Sequence, residues 1–141
     1  MKKIFLDTNV WLRFLLQDEK QQAEDCVKLI ELIETGHFRP YTSAIVLLEL
    51  QYVLTVVYKI AREAVVEDIE TILGTRGLVL AEKTNFGEAF RIYRQSKIKL
   101  ADCLVATALP EKMILCSYDQ DFRKISGVVV KTPAEAVGMV K

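Results

Sequence analysis

Several acidic residues in this 141-residue chain stand in windows that carry no other charge. Three of them are the single charged residue of their window: Asp7 in residues 4–12, Glu49 in residues 40–58 and Asp102 in residues 100–110. Asp119 and Asp121 provide a fourth acidic position, directly after the apolar run of residues 113–116. Since 27% of the chain is charged, a 19-residue window with one charge is unusual. These acids are therefore the first candidates for chemistry.

A carboxylate in an apolar environment costs free energy unless it is paired or bound to a metal. No lysine or arginine lies inside the three windows, so a partner must come from elsewhere in the fold. Acids that meet without cations repel one another, and one or more would take up a proton. Divalent cations remove that repulsion, and carboxylate oxygens suit Mg²⁺ or Mn²⁺. The sequence has no cluster of His and Cys, which argues against zinc.

Each acid also has a purely structural explanation. Asp7 could cap a helix, and Glu49 could pair with a distant arginine or reach solvent. Asp102 falls in the first turn of a predicted helix, where a negative charge is favourable. Asp119 or Asp121 could simply form a turn. All of these explanations must hold together to dismiss a shared site.

The elements that must position these acids alternate along the chain. Short apolar runs predict strands at residues 4–6, 38–42, 78–80, 113–116 and 128–130. Apolar residues at helical spacing predict helices at residues 9–17, 23–33, 44–58, 62–73, 86–96 and 101–109. This alternation predicts an α/β fold, a three-layer α/β/α sandwich with a mostly parallel sheet of four to five strands. Sites in such folds gather at the carboxyl ends of the strands.

Three local features carry expectations of their own. Pro40 suggests that residues 38–42 form an edge strand or begin a strand. Ser43 is placed to cap a single long helix over residues 44–58. In the helix that follows Asn85, the spacing predicts that four residues face inward: Phe86, Ala89, Phe90 and Tyr93.

Composition limits the class of protein. Length favours one domain over residues 1–141, and 19 basic against 19 acidic residues exclude a large overall positive field. The three cysteines lack CxxC spacing, which favours buried thiols and a reducing cytoplasm. The longest apolar stretch, residues 44–57, is too short to span a membrane and contains Glu49.

The acidic positions come with neighbours that form an ordered set of short motifs. They are Asp7-Thr8-Asn9-Val10, Glu49 in an apolar helix, Leu100-Ala101-Asp102 and Ser117-Tyr118-Asp119-Gln120-Asp121-Phe122. In order, spacing and chain length the set resembles the PIN-domain nucleases, most of all the VapC-type toxins of toxin–antitoxin pairs. The resemblance runs from residue 4 to about residue 131.

The resemblance implies a central parallel sheet and metal-dependent cleavage of RNA by an endoribonuclease. The acidic quartet would be Asp7, Glu49, Asp102 and Asp119, which bind one or two Mg²⁺ or Mn²⁺ ions. Thr8, Asn9 and Ser117 match supporting polar positions, and Asp121 matches a secondary acidic position. Whether Asp119 or Asp121 approaches the metal stays open, with Asp119 nearer the strand end. Pro110 shortens a helix that relatives usually continue.

The resemblance also implies a role as the toxin of a type II pair, with a separate antitoxin protein and a homodimer. Two apolar helices, at residues 23–33 and 44–58, would supply the surface for such partners. An RNA-processing nuclease without an antitoxin and a catalytically silent RNA- or protein-binding module are the alternatives. A haloacid-dehalogenase-type phosphatase fits less well, because its second Asp is replaced by Asn9.

Basic residues near the acidic motifs are candidates for contacts with RNA phosphates. They are Arg91, Arg94, Lys97 and Lys99 before Asp102, and Arg123 and Lys124 after the last motif. A solvated helix face is the alternative explanation. Trp11 is expected in the core or at a dimer contact and not as a platform for stacked bases.

Overall fold

A computed structural model describes residues 1–110 and 113–140. In this part of the chain, five strands form one sheet: β1 (Lys2–Leu6), β2 (Phe38–Thr42), β3 (Val79–Leu80), β4 (Ile114–Cys116) and β5 (Val129–Lys131). All four strand pairings are parallel, and the strand order is β3-β2-β1-β4-β5. The predicted α/β class with a parallel sheet is thus confirmed, with five strands.

Seven α-helices accompany the sheet in the described residues: α1 (Thr8–Leu16), α2 (Lys20–Glu34), α3 (Ala44–Tyr52), α4 (Arg62–Leu73), α5 (Phe86–Gln95), α6 (Leu100–Ala108) and α7 (Pro133–Gly138). A π-helical turn, Val53–Val57, extends α3, and a 3₁₀ helix, Gln120–Lys124, follows β4. None of the helices described combines the length and apolar character that a membrane crossing requires.

The central strand β1 forms the middle of the core. Ile4, Phe5 and Leu6 are fully buried, because β1 is covered by strands on both edges and by helices on its faces. Trp11 is also fully buried, and its indole Nε1 donates to Thr42 Oγ1 at 3.4 Å. Of the two expectations for Trp11, the core position is therefore correct.

The strand order has a topological switch point between β1 and β4, where the order in which strands are added to the sheet reverses. From β1 the chain moves outward through β2 and β3, then crosses back to β4 on the other side of β1 and moves outward to β5. Parallel crossovers are right-handed, so the helices of the two halves cover opposite faces. A crevice opens at the carboxyl ends of β1 and β4, where ligands bind in such sheets.

The edge position suggested by Pro40 is wrong, because β2 lies between β3 and β1. Its pairing explains why a proline is tolerated inside the sheet. β3 pairs with β2 only at Tyr41 and Thr42, so Pro40 lies before the first β2–β3 pair. At that point one side of β2 needs no ladder hydrogen bond from the backbone.

The helix predicted for residues 44–58 begins as expected but changes type. Ser43 Oγ accepts from the backbone N–H of Val46, which confirms the cap. The α-helix ends at Tyr52, and the Tyr58 N–H then bonds to the carbonyl of Val53, a π-helical i to i−5 bond. The apolar pattern does not reveal this change of winding.

The inward orientation predicted for α5 holds for only one of its four residues. Ala89 is fully buried, whereas Phe86, Phe90 and Tyr93 are 58%, 44% and 47% exposed. The face that α5 buries is centred on the small Ala89, and the helix packs against α6. Phe90 and Tyr93 then pack edge to face, with ring centroids 6.5 Å apart.

The short helix α7 was not anticipated. It begins with a capping box, in which Thr132 Oγ1 accepts from the Glu135 N–H and the Glu135 carboxylate accepts from the Thr132 N–H. Pro133 occupies the first helical position. Both the capping box and the proline can be recognised in the sequence. The helix packs against α2 and β5.

Candidate active site

The backbone brings the acidic motifs together at the carboxyl edge of the sheet. Asp7 follows the last residue of β1, and Asp119 lies three residues after the end of β4. Adjacent parallel pairing aligns these two strand ends, and the Asp7 N–H donates to the Cys116 carbonyl at 3.0 Å. Glu49 comes from α3, and Asp102 comes from the first turn of α6.

These side chains share one cavity of about 380 Å³. Its lining consists of Asp7, Thr8, Asn9, Leu12, Glu49, Tyr52, Val53, Lys99, Asp102 and Asp119. We call it the acid cavity. Four sequence segments that are far apart in the chain thus place one carboxylate each around the same space. Asp121 is not among the lining residues.

The hydroxyl of Ser117 organises the floor of the acid cavity. It is fully buried and donates to Asp7 Oδ2 at 2.8 Å. Ser117 Oγ in turn accepts hydrogen bonds from Asn9 Nδ2 at 3.2 Å and from the backbone N–H of Asp119 at 3.0 Å. Asn9 Oδ1 in turn accepts from the Tyr118 N–H at 3.2 Å. This network connects the ends of β1 and β4 and fixes the orientation of Asp7.

The four acids differ in whether they cap a helix or pair with an opposite charge. Asp7 occupies the N-cap position of α1, but its carboxylate makes no capping hydrogen bond. Asp119 does cap the 3₁₀ helix, since its Oδ1 accepts from the Asp121 N–H at 2.9 Å. Glu49 pairs with Lys99 across 3.5 Å, and Asp102 does lie in a first helical turn. An acid that caps a helix or pairs with a charge can therefore also line the acid cavity, as Asp119 and Glu49 do.

Burial and mutual repulsion raise the pKa values of the two innermost acids. Asp102 is 5% exposed, and its pKa is raised to about 7. Burial is the largest cause, the Lys99 ammonium opposes it, and the carboxylates of Asp7, Asp119 and Glu49 add to it. Burial also raises the pKa of Asp7, against the hydrogen bond from Ser117, which lowers it. The cavity is therefore short of positive charge.

A family model described as "PIN domain" matches residues 4–128. The chain belongs to the PIN-domain family. It is 29% identical over 122 residues to a "VapC ribonuclease" of Aquifex aeolicus (strain VF5), a match that covers 85% of this chain and 90% of that protein.

Two solved structures share the fold of this PIN domain. One is VapBC2 from Rickettsia felis, bound to a DNA fragment from its promoter, with a TM-score of 0.70 and 21% identity over 92% of this chain and 98% of that one. The other is PAE2754 from Pyrobaculum aerophilum, with a TM-score of 0.64 and 14% identity over 96% and 92% of the two chains. The predicted family and fold are confirmed.

The donors around the acid cavity fit a hard divalent cation. Its ionisable ligands are all carboxylates, which Mg²⁺ and Mn²⁺ prefer. Thr8 Oγ1 is buried in this lining and has no hydrogen-bond partner in the described part of the PIN domain. In residues 1–110 and 113–140, however, no three His, Cys, Asp or Glu side chains lie close enough to hold an ion as they stand. Binding an ion therefore requires carboxylates to turn toward each other.

Lys99 supplies the positive charge on the cavity lining. Its Nζ lies 3.5 Å from Glu49 Oε2. Burial lowers the pKa of Lys99, but the carboxylates of Asp102, Glu49 and Asp119 outweigh burial and raise it. An ammonium group thus lies at the mouth of a cavity whose other charged groups are acids.

The remaining basic residues of the prediction separate into two groups. Arg91, Lys97 and Lys124 line a second cavity of about 590 Å³, together with Glu88, Ile92, Gln95, Ser96, Ile98, Asp121, Ile125 and Ser126. We call it the side groove. Arg94 and Arg123 line neither cavity, and Arg123 bonds to Gln120 and Glu135 instead. Asp121 pairs with Lys124 in the side groove, at 3.0 Å.

Sequence reasoning missed the apolar wall of the acid cavity, formed by Leu12, Tyr52 and Val53. Tyr52 follows Glu49 by three residues, and residues at this spacing share a helix face. That spacing could have identified Tyr52 as a neighbour of the site. Leu12 and Val53 were indistinguishable from core residues in the sequence.

We predict that Asp102→Asn stabilises the metal-free PIN domain at pH 8 and has little effect at pH 4. The folded-state pKa of about 7 exceeds the ordinary 3.8, so the folded protein binds more protons between these values and loses stability as pH rises through them. The expected gain at pH 8 is up to about 4 kcal/mol. Urea unfolding in EDTA at both pH values measures it.

The matched control for this prediction is Glu82→Gln, which neutralises an exposed carboxylate. It should leave the pH dependence unchanged. An Asp102→Asn protein that is no more stable than the parent at pH 8 would contradict the origin assigned to the raised pKa.

Proposed function

We propose that this PIN domain is a metal-dependent endoribonuclease and the toxin component of a type II toxin–antitoxin pair. The observation that carries the proposal is the acid cavity, where four carboxylates from distant segments meet at the switch point of the sheet. The relative named VapC ribonuclease supports RNA as the substrate. The Rickettsia felis complex supports a protein partner.

In this proposal Asp7, Glu49, Asp102 and Asp119 hold one or two Mg²⁺ or Mn²⁺ ions. A bound ion supplies an acidified water and neutralises charge on the phosphate and the leaving oxygen. Thr8 offers its unpartnered hydroxyl to the same space. Asp121 has a secondary role, because it faces the side groove and pairs with Lys124.

The chain's own residues prepare the site for that chemistry. Ser117 donates to the Asp7 carboxylate and accepts from Asn9, and these two hydrogen bonds hold Asp7 in one orientation before substrate binds. Lys99 offsets part of the repulsion among the acids and can turn from Glu49 toward a substrate phosphate. Its side chain is 65% exposed, so this rotation displaces little packing.

The side groove is the proposed path for RNA beyond the cut. Two segments join it to the acid cavity. In residues 97–99, Lys97 and Ile98 line the groove and Lys99 lines the cavity. In residues 119–121, Asp121 lines the groove and Asp119 lines the cavity. An RNA strand with its scissile phosphate in the acid cavity can therefore continue along the side groove past Lys97 and Lys124.

The proposal also includes an antitoxin protein, a homodimer and a cytoplasmic location. Exposed Leu48, Val56 and Val57, on α3 and the π-helical turn, supply an apolar surface for a protein partner. On α2, Ala23, Cys26, Leu29 and Ile33 are buried, whereas Val27 and Ile30 are only partly buried. Both helices expected to supply such a surface therefore stay part of the proposal. Three buried free cysteines agree with a reducing compartment.

We expect the purified protein to cleave total RNA with Mn²⁺ or Mg²⁺ and to lose this activity in excess EDTA. Asp7→Asn should lower the rate by more than about 100-fold, because even residues that support metal ligands matter by about 10- to 100-fold. Ser117→Ala should fall within that lower range. Sequencing of the RNA ends maps the cuts.

A matched control for Asp7→Asn is Asp68→Asn on α4, which lies outside both cavities and should keep full activity. Full cleavage by the Asp7→Asn protein would contradict the mechanism. Metal binding without cleavage of any RNA would favour a silent binding module.

We expect the combined Lys97→Ala and Lys124→Ala substitutions to weaken RNA binding mainly at low salt. Each lost contact with a phosphate of single-stranded RNA should reduce the slope of log K against log[salt] by about 0.7. Anisotropy of a labelled RNA, measured in the Asp7→Asn background to prevent cleavage, gives the slope. Lys20→Ala with Lys28→Ala on α2 is the control, and an equal effect there would argue against the groove.

We expect production of the active protein in bacterial cells to arrest growth, and production of the Asp7→Asn protein to leave growth normal. Co-production of the product of a small adjacent open reading frame should restore growth and copurify with the PIN domain. Normal growth with an active nuclease would favour an RNA-processing enzyme without an antitoxin. Plate counts and pull-down measure the two effects.

A further inference from the structure

The acid cavity is lined by two chemically different kinds of side chain. The carboxylates and Lys99 are charged, whereas Leu12, Tyr52 and Val53 form the apolar wall. Leu12 is 7% exposed, but Tyr52 is 58% exposed, although both line the same space. An aromatic ring at the mouth of a charged cavity retains contact with water and gains little from packing. The Tyr52 ring is therefore free to contact a ligand that enters the cavity.

The backbone holds Tyr52 rigidly beside the acids. Tyr52 is the last residue of α3 and lies one turn after Glu49, on the same face. The π-helical turn that begins at Val53 continues the helix, so the ring projects from ordered backbone and not from a loop. π-Helical turns inside helices are frequent at functional sites.

A nucleotide matches this division of the cavity. Its phosphate is an anion that belongs beside cations held by the carboxylates, and its base is a flat, largely apolar ring. Proteins that hold single-stranded RNA stack bases on aromatic side chains. Trp11 cannot serve, because it is fully buried. The cavity volume of about 380 Å³ lies within the range of small-ligand sites, which is roughly 300–1,000 Å³.

We infer that Tyr52 is the platform on which a base next to the scissile phosphate stacks, an inference that rests on the proposed ribonuclease function. The ring positions the nucleotide so that the phosphate faces the acids. Stacking accepts every base, so Tyr52 contributes affinity and register with little choice of sequence.

The alternative occupant of this surface is a protein. Leu48, Tyr52 and Val56 recur every four residues and are all exposed, which is also a pattern for a helix or a second copy of the chain. RNA is favoured because Tyr52, unlike Leu48 and Val56, lines the cavity that holds the acids. The protein contact is therefore an outcome that the test must distinguish.

The test compares Tyr52→Ala with Tyr52→Phe, both in the Asp7→Asn background, by anisotropy of a fluorescein-labelled single-stranded RNA that spans a mapped cut. We expect Tyr52→Ala to weaken binding about 5- to 150-fold, which corresponds to about 1–3 kcal/mol for one stacked base. Tyr52→Phe keeps the ring and should bind as the parent does. The slope against log[salt] should stay constant, since no phosphate contact is lost.

Phe86→Ala on α5 is the matched control. Phe86 is also 58% exposed but does not line the cavity, so its removal should leave RNA binding unchanged. A thermal melt of each variant checks that folding is intact, as expected for substitutions at exposed positions.

A second readout reports stacking directly. The same RNA is labelled with 2-aminopurine at either nucleotide next to the cut, and all proteins carry Asp7→Asn. Its fluorescence should fall on binding the Asp7→Asn protein and its Tyr52→Phe variant, but not on binding the Tyr52→Ala variant. Equal affinity and equal quenching for Tyr52→Ala would overturn the inference. So would unchanged RNA binding with a changed oligomeric state by sedimentation, which would assign Tyr52 to a protein contact.

These outcomes separate the inference from the function beneath it. If the unmodified protein cleaves no RNA with Mn²⁺ or Mg²⁺, the ribonuclease proposal fails, and the stacking role fails with it. If the unmodified protein cleaves RNA and the Asp7→Asn protein binds RNA equally well with or without the Tyr52 ring, only the role of Tyr52 is overturned.

Discussion

Repulsion among four carboxylates in one cavity governs how the rest of this PIN domain is arranged. Asp7 and Asp102 are almost completely buried, and Asp119 and Glu49 close the ring around them. Charges this close raise each other's free energy, and partial burial increases the effect by lowering the local dielectric constant. An arrangement of this kind persists only where the surrounding structure is stable enough to enforce it. The enforcement comes from the sheet, whose central strand is buried along Ile4, Phe5 and Leu6.

The structure reduces the repulsion in three ways. Ser117 donates a hydrogen bond to the Asp7 carboxylate, and Asn9 donates to the Ser117 hydroxyl. Lys99 places an ammonium beside Glu49. Burial raises the pKa of Asp102 to about 7, so a proton can be held there near neutral pH. In the proposed function, a divalent cation held by these carboxylates would reduce the repulsion further.

The apolar wall gives the same cavity a second capacity. In the proposed function the substrate is an anion, which a site made of acids alone would repel. Leu12, Tyr52 and Val53 add uncharged surface to the lining of this cavity. The side groove adds Lys97 and Lys124 where the strand would leave the acids. The side groove thus has acidic and basic residues in its lining, whereas the charged lining of the acid cavity is acidic except for Lys99.

Most of the elements could be predicted from the sequence because they depend on local patterns. The helix at residues 62–73 matches α4 at both ends, and Ser43 caps its helix as expected. The errors arose where packing overrode a local pattern. The aromatic residues of α5 face outward because Ala89 makes the close contact with the core, and Pro40 sits in an interior strand because β3 is short.

The sequence by itself determined which residues are candidates for the site. They are solitary acids, each in a window with no other charge, and their order resembles that of one family. It could do so because an isolated carboxylate among apolar residues is costly and therefore informative. Only the tertiary structure decided which atoms share the space. It placed Asp119 in the cavity and Asp121 beside Lys124, it brought Lys99 to Glu49, and it exposed Tyr52 beside the acids. These relations depend on strand order and helix packing, which join residues that are distant in the chain and leave no local trace in it.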